Sequence, residues 1–410
     1  MLALIDLDPS IGRRRERVTL YRSDSEKEVA MARRYRARFK RKSSSGFRRL
    51  VSVLVWVLIL SGLSSSCAPV PTPTPTPLPA AAPAAESPTP TPVPVAVSRA
   101  DRVPVFVTTD MSSDDVVAIL YLLSHPGVEV LGIGSADGVA HVEPAARNVL
   151  RLLALVSRED IPVAVGSEES LEGDHAFPSG WRGGADRLFG LSAPDALTEP
   201  VQESTAELLA DVINAHPGEV TVVLLGAHTD LALALRSDPG LASRIKSVHM
   251  MGGAVNVPGN IHEEHAAIAN ESAEWNLWLD YSAAAMVFDT PIIKSVVPLD
   301  ATNQVRVDRA YYERFAGKAE SPAARLVAEL WKSQASRSPS GFYIWDVVAA
   351  VALPFPDLAV WQAMGLLVVT DRHDDLGQTV DTGDGDSNSM VCLKVDVSRL
   401  QEELIRVLNQ

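Results

Sequence analysis

Residues 103–115 read VPVFVTTDMSSDD, an apolar, β-branched run that ends in three carboxylates within six positions. The pattern predicts a buried parallel strand over Val103–Thr109, which would bring Asp110 to the carboxyl edge of a sheet, where open α/β folds bind ligands. Asp114 and Asp115 would then open the next helix. Because buried carboxylates this close together repel one another, they need a cation or a helix N-terminus to compensate their charge.

Two interpretations of these acids are open. In the simpler one, Ser112, Ser113 or Asp114 caps the helix that follows. In the other, the three carboxylates bind a metal ion, and an oxygen-only ligand set suits a hard cation, Ca²⁺ before Mg²⁺. Capping accounts for one acid and leaves two unexplained, so the metal site is the preferred interpretation.

Residues 100–410 alternate short β-branched runs with amphipathic helical ones. The predicted strands cover 103–109, 128–134, 162–165, 220–225 and 245–251, with helices at 116–124, 142–157, 204–215 and 231–236. This alternation predicts one α/β domain, a mostly parallel central sheet flanked by helices. Near the C-terminus, residues 371–386 are predicted to form a surface loop, followed by a strand at 390–395 and a helix at 398–408.

The first 67 residues have the features of a targeting segment. Residues 1–66 carry 15 basic and 6 acidic side chains, and a basic block at 33–49 precedes the apolar run 50–63 and the small residues before Cys67. This order predicts a secretory signal, and an almost wholly apolar run of 14 residues is short for a membrane span of about 20. Met31 would open a conventional signal peptide by itself, so the start is expected at Met1 or Met31.

Cys67 resembles the lipidated cysteine of a bacterial lipobox, which predicts a membrane-anchored lipoprotein. The alternative is an uncleaved signal anchor, and both place the domain outside the cytoplasmic membrane, anchored or secreted.

Residues 68–99 are rich in Pro, Thr and Ala and predict an extended linker. The rest of the chain carries 22 basic against 45 acidic side chains, which argues against a nucleic acid partner. Cys392 is the only other cysteine, so a disulfide framework is excluded.

Further polar residues stand where a site at the strand ends would need them. They are Asn260 after Gly259, Glu274 and Asn276 within AEWN, and Asp346 inside an apolar segment. Amide and carboxylate groups together suit the hydroxyls of a sugar, although turn chemistry is an alternative for Asn260. A lone Asp346 in apolar surroundings is costly unless it is paired or binds metal, so it is a candidate fourth carboxylate.

Over residues 102–405 the chain resembles the inosine-uridine nucleoside hydrolase family. Its motifs occur in the family's order: D-x-x-x-DD at 110–115, MGG at 251–253, GN at 259–260, AEWN at 273–276 and WD at 345–346. The resemblance implies a Ca²⁺-dependent enzyme that hydrolyses the N-glycosidic bond of ribonucleosides to ribose and free base. It also implies a homodimer or homotetramer.

The resemblance assigns roles residue by residue. The matches to calcium ligands are Asp110, Asp115, Asp346 and the backbone carbonyl of Leu225. Asp110 also matches the residue that takes a proton from the calcium-bound water. The matches to residues that hold the ribose hydroxyls are Asp114, Asn260, Glu274 and Asn276. Of these, Asp114 and Asn276 are expected to act in catalysis together with Asp110.

Many relatives place a general-acid histidine directly before the last aspartate ligand, where this chain has Trp345. Tryptophan donates no useful proton at neutral pH. The chain therefore resembles the purine-preferring branch, which carries Trp-Asp there and a second Trp in a loop like residues 177–182. Trp181 and Trp345 are expected to stack on a purine and raise the basicity of its ring nitrogen. The alternative for Trp181 is ordinary loop packing.

Three positions depart from the family pattern: Thr108, Ser112 and Val139. Residues 261–272 mix His and Glu, and a mobile, solvent-facing lid is preferred over a second metal site there. Two alternative functions remain open at this stage. One is a non-catalytic nucleoside-binding lipoprotein, and the other is a hydrolase of another N-riboside, such as a pyrimidine nucleoside or nicotinamide riboside.

Overall fold

The computed structural model describes residues 102–338, 340–383 and 389–410. The predicted signal segment, Cys67 and the linker lie outside these residues. Within the described ranges, none of the helices combines the length and apolar character that a membrane crossing requires.

An eight-stranded sheet forms the centre of the domain, in the order β3-β2-β1-β4-β5-β6-β12-β9. Seven neighbouring strands run parallel and β9 pairs antiparallel with β12 at one edge, which confirms the predicted α/β class. The strands are β1 (Val103–Thr109), β2 (Val128–Ser135), β3 (Val163–Ala164), β4 (Thr221–Leu224), β5 (Ser247–Met251), β6 (Lys294–Val297), β7 (Arg306–Val307), β8 (Phe342–Tyr343), β9 (Ala359–Met364), β10 (Leu366–Val368), β11 (Thr379–Asp381) and β12 (Ser389–Val395).

Helices cover both faces of this sheet. They are α1 (Ser113–Ser124), α2 (Val142–Leu155), α3 (Ser179–Ala185), α4 (Thr205–Ala215), α5 (Thr229–Ser237), α6 (Ile261–Glu264), α7 (Trp275–Leu279), α8 (Tyr281–Phe288), α9 (Leu299–Thr302), α10 (Arg309–Ala316), α11 (Pro322–Arg337), α12 (Trp345–Ala352) and α13 (Val397–Leu408). Side chains of β1 alternate between the two faces: Val105 and Val107 join the core under α1 and α12, and Phe106 joins the core under α4 and α5. Burial on both faces explains why the strand is an uninterrupted apolar run.

The prediction of a surface loop over residues 371–386 is wrong in part. Thr379–Asp381 forms β11, which pairs antiparallel with β10. Gly377 turns the chain just before it with φ +81°, and a Cβ there would lie 2.7 Å from the Cα of Trp278. The Asp and Gly content of the segment hid a short strand, and the turn before it requires glycine because it packs closely against α7.

Candidate active site

The turn between β1 and α1 positions the first acids. Ser112 caps α1 in a capping box: its hydroxyl faces the N–H of Asp115, and its own N–H donates to Asp115 Oδ2 at 3.0 Å. The Thr109 hydroxyl donates to the other oxygen of Asp115 at 2.5 Å. Ser112 therefore caps the helix, as the simpler interpretation predicts, and the carboxylates remain clustered beside it, as a metal site would require.

Backbone groups from the neighbouring loop hold Asp110. Its Oδ2 accepts a hydrogen bond from the N–H of Val139 at 2.9 Å, and its Oδ1 accepts one from the N–H of Ser112 at 3.2 Å. Gly138 leaves room for this contact, since a Cβ there would lie 2.1 Å from Asp110 Oδ2. The departures at Val139 and Ser112 thus still contribute backbone donors to the site.

Asp346 lies at the first turn of α12 and reaches the same place. Its N–H donates to Asp114 Oδ2 at 3.0 Å, and the Ser112 hydroxyl donates to Asp114 Oδ1 at 2.6 Å. Asp114, Asp115 and Asp346 each offer an oxygen within 4.8 Å of the others. The predicted fourth carboxylate is therefore beside the first three, and Asp114, assigned above to ribose, belongs to the tightest group.

The electrostatics of these acids suit a cation. Burial raises the pKa of Asp110 to about 6. Burial, and then the charges of neighbouring aspartates, raise the pKa of Asp115 and of Asp346 well above the ordinary value. Asp346 Oδ1 is buried without a hydrogen-bond partner. A hard cation would supply the missing partner and relieve the repulsion, so this donor set fits a metal ion.

Glu274, Asn276 and Asn260 form a second polar group. Glu274 caps α7, accepting from the N–H of Asn276 at 2.9 Å and from the N–H of Gly253 at 3.1 Å. The Asn276 amide donates to the carbonyl of Met251 at 3.2 Å, and Asn260 Oδ1 accepts from the N–H of Trp275 at 3.2 Å. Burial raises the pKa of Glu274 to about 7. Asn260 is thus buried and hydrogen-bonded to α7 rather than serving an exposed turn.

One cavity of about 390 Å³ joins these groups, a volume within the range of small-molecule sites. The predicted residues that line it are Asp110, Asp114, Trp181, Leu225, Asn260, Glu274, Asn276, Trp345 and Asp346. Asp115 is fully buried and does not line the cavity. Leu225 directly follows β4, and its N–H donates to the carbonyl of Thr108 at 3.0 Å.

Aromatic side chains form another part of the lining. Phe177 stacks on Trp275 with ring centroids 4.2 Å apart, and the Trp181 ring lies 6.0 Å from Phe177 and 6.2 Å from Trp275. The Trp345 indole N–H donates to Asn303 Oδ1 at 2.8 Å. Phe177 and Trp275 are cavity residues that the sequence motifs alone do not identify. Their signal was their place beside assigned residues, in the Trp181 loop and in AEWN.

The expectation that residues 261–272 face solvent is wrong for Glu264. Its side chain is half-buried and lines the cavity, whereas the neighbouring Glu263 is exposed. Burial raises the pKa of Glu264 to about 7. Charge pattern alone does not distinguish these two neighbours, because the burial of Glu264 comes from packing between distant segments.

The family model described as inosine-uridine preferring nucleoside hydrolase matches residues 105–402. The chain belongs to this family. It is 31% identical over 282 residues to uridine nucleosidase 1 of Arabidopsis thaliana, covering 67% of this chain and 81% of that protein. It is 34% identical over 228 residues to the pyrimidine-specific ribonucleoside hydrolase RihA of Klebsiella pneumoniae, covering 56% of this chain and 70% of that one.

Solved structures agree with this membership. The inosine-uridine preferring nucleoside hydrolase from Bacillus anthracis superposes with a TM-score of 0.66 at 26% identity, covering 75% of this chain and 99% of that one. The purine-preferring ribonucleoside hydrolase from Gardnerella vaginalis, at 22% identity and a TM-score of 0.67, shows likeness of fold. The protein is therefore a ribonucleoside hydrolase, from a metal-dependent family and with an acidic site that fits a metal ion.

Proposed function

We propose that this enzyme hydrolyses purine ribonucleosides to ribose and free base, with Ca²⁺ as its metal. One observation carries the purine preference: Trp345 stands directly before Asp346 and lines the same cavity as Trp181. None of the described residues that line this cavity is a histidine. Without an imidazole donor, help to the leaving base must come from stacking or from another acid.

The ribose is proposed to bind at the polar end of the cavity. Asp114 and Glu274 would accept hydrogen bonds from its hydroxyls, and the amides of Asn260 and Asn276 would hold the others. Asp110 is proposed as the base that takes a proton from the attacking water. Ca²⁺, held by Asp110, Asp115, Asp346 and the Leu225 carbonyl, would lower the pKa of that water.

Departure of the base leaves positive charge on the sugar. The cavity-lining carboxylates Asp110, Asp114 and Asp346 would stabilise this charge, because they are fixed in a site of low dielectric. Fixing the ribose hydroxyls also holds the anomeric carbon beside the water. The base would lie against Trp181 and Trp345, where stacking on the indoles raises the basicity of its ring nitrogen.

A uridine hydrolase is the second candidate. The names of two relatives favour it, uridine nucleosidase 1 and the pyrimidine-specific RihA. The non-catalytic binding lipoprotein and the nicotinamide riboside hydrolase are not favoured by the comparisons.

The test is ribose release by the purified full-length protein from inosine, adenosine, guanosine, uridine and cytidine, with Ca²⁺ and after exhaustive chelation. We expect calcium-dependent release with kcat/KM at least about tenfold higher for inosine than for uridine, since base stacking contributes about 1–3 kcal/mol. Faster release from uridine would establish the second candidate. Release that survives chelation and is unchanged by added Ca²⁺ would refute the metal assignment.

We further propose that the enzyme works outside the cytoplasmic membrane, tethered through a lipid on Cys67, and that it assembles as a homodimer or homotetramer. The basic block, apolar run and small residues before Cys67 support the location. Mass analysis of the N-terminal peptide from membrane-extracted protein checks it, because an unmodified Cys67 within an intact leader contradicts the lipid anchor. Light scattering of the purified protein checks the assembly, and a monomeric mass contradicts it.

A further inference from the structure

Glu264 brings a carboxyl group into the cavity from a segment that the family motifs do not include. It ends the short helix α6, and its N–H donates to the carbonyl of Asn260 at 3.1 Å. Its side chain lines the cavity together with Trp181 and Trp345. The segment that carries it lies between Asn260 and Glu274, two residues proposed to hold the ribose.

Three of the other lining carboxyl groups already accept hydrogen bonds, and the fourth, Asp346, has its free Oδ1 in the acid cluster proposed to hold the metal. Asp110 and Glu274 accept backbone hydrogen bonds, and both oxygens of Asp114 accept bonds from Ser112 and Asp346. Within the described part of the chain, no backbone N–H donates to the Glu264 carboxyl. Glu264 is therefore the lining carboxyl that lies outside the acid cluster and accepts no backbone hydrogen bond, so its oxygens can face a ligand.

The surroundings of Glu264 favour its protonated form. Burial raises its pKa to about 7, and the negative charges of Asp114, Glu263 and Glu274 act in the same direction. The indole N–H of Trp275 lies near the Glu264 carboxyl and acts to lower its pKa. This N–H is buried and has no hydrogen-bond partner of good geometry, so its effect is the weaker one. A carboxylic acid that keeps its proton near neutral pH is suited to general-acid catalysis.

We propose that Glu264 is the catalytic acid that protonates the leaving purine. This rests on the proposed purine nucleoside hydrolysis. As the C1′–N9 bond breaks, its electron pair passes to the purine, and the Glu264 carboxyl transfers its proton to N7. The water oxygen bonds to C1′ and its proton passes to Asp110. The products are ribose and a neutral base, and exchange with solvent returns the proton from Asp110 to Glu264.

The test compares two substrates that differ in their need for an acid. The nucleobase of inosine must be protonated to leave readily, whereas the 4-nitrophenolate of 4-nitrophenyl β-D-ribofuranoside leaves as a stable anion. In full-length Glu264→Gln we expect kcat for inosine to fall about 10²-fold to 10⁴-fold, the usual contribution of a general acid. Turnover of the nitrophenyl riboside should stay within about threefold of the wild type, which also shows that the variant is folded.

The control is Glu263→Gln, which removes the exposed neighbouring charge and should leave both substrates unaffected. In the wild type, kcat for inosine should fall on the alkaline side of about pH 7, and this limb should be absent in Glu264→Gln. Equal losses on both substrates would make Glu264 a ribose-binding or structural residue, and no loss on either would exclude any role. A wild-type enzyme inactive on every nucleoside would refute the proposed function itself.

Discussion

The two sides of the cavity are built differently. The carboxylate wall, Asp110, Asp114 and Asp346, lies at the end of β1 and at the starts of α1 and α12, and these residues are 2%, 6% and 5% exposed. The aromatic wall, Phe177, Trp181 and Trp275, is formed in part by the segment between β3 and α4, where Trp181 is 38% exposed. The sheet edge thus holds the groups proposed for the chemistry, and a connecting segment carries Trp181, one of the two indoles proposed to select the base. The other indole, Trp345, stands directly before Asp346 at the start of α12.

Breaking the carboxylate wall should have the largest effect. We expect Asp110→Asn to lower kcat at least about 10³-fold on every nucleoside, because it removes the proposed base from its place beside the water. The fold should survive, since the side-chain volume is unchanged and repulsion within the cluster decreases. Steady-state kinetics and thermal unfolding check this, with the exposed Asp211→Asn as a control that should keep full activity. Retention of a tenth of the activity would contradict the role of Asp110.

Breaking the aromatic wall should have a smaller and substrate-dependent effect. We expect Trp181→Ala to lower kcat/KM for inosine about tenfold to 100-fold, and that for uridine less than about threefold, because the larger purine loses more stacking. Trp181→Phe is the matched variant and should recover part of the inosine activity. Steady-state kinetics of both variants on inosine and on uridine measure this difference in kcat/KM. If both fall equally, Trp181 does not select the base.

Metal binding to the carboxylate wall can be tested without turnover, through its effect on the free energy of unfolding. We expect Ca²⁺ at about 100 times its dissociation constant to add about 2.7 kcal/mol to the free energy of unfolding. The gain should be larger at pH 8 than at pH 5.5. The raised pKa values of Asp110, Asp115 and Asp346 keep these groups protonated at the lower pH, where protons compete with the cation. Thermal unfolding at both pH values, with and without Ca²⁺, measures this, and a gain independent of pH would contradict it.

The carboxylate wall was predictable because its signals are local. An apolar run buried on both faces predicts β1, and an acid at its end must lie at the sheet edge. The capping box of Ser112 and Asp115 is likewise a local signal, because its two residues stand three positions apart in the sequence. The sequence also placed Asp346 correctly beside the other acids, since a lone carboxyl in an apolar helix requires a partner.

The rest of the site depends on tertiary packing, which leaves little trace in the sequence. Glu263 and Glu264 are adjacent and chemically identical, and only the fold turns one into the cavity and leaves the other in solvent. Strand β11 was missed for a related reason. It is defined by its pairing with β10 and preceded by a close approach of Gly377 to α7, and the Asp- and Gly-rich segment has no periodicity that would reveal either.

The hydrogen bond from the N–H of Asp346 to Asp114 joins residues 232 positions apart. Contacts of such separation form late and slowly when a chain folds, because a long loop must close before they are gained. The acid cluster is therefore complete only when α12 is docked against α1. During refolding, recovered turnover would thus time the closure of this long loop, whereas circular dichroism would report the appearance of helices and strands.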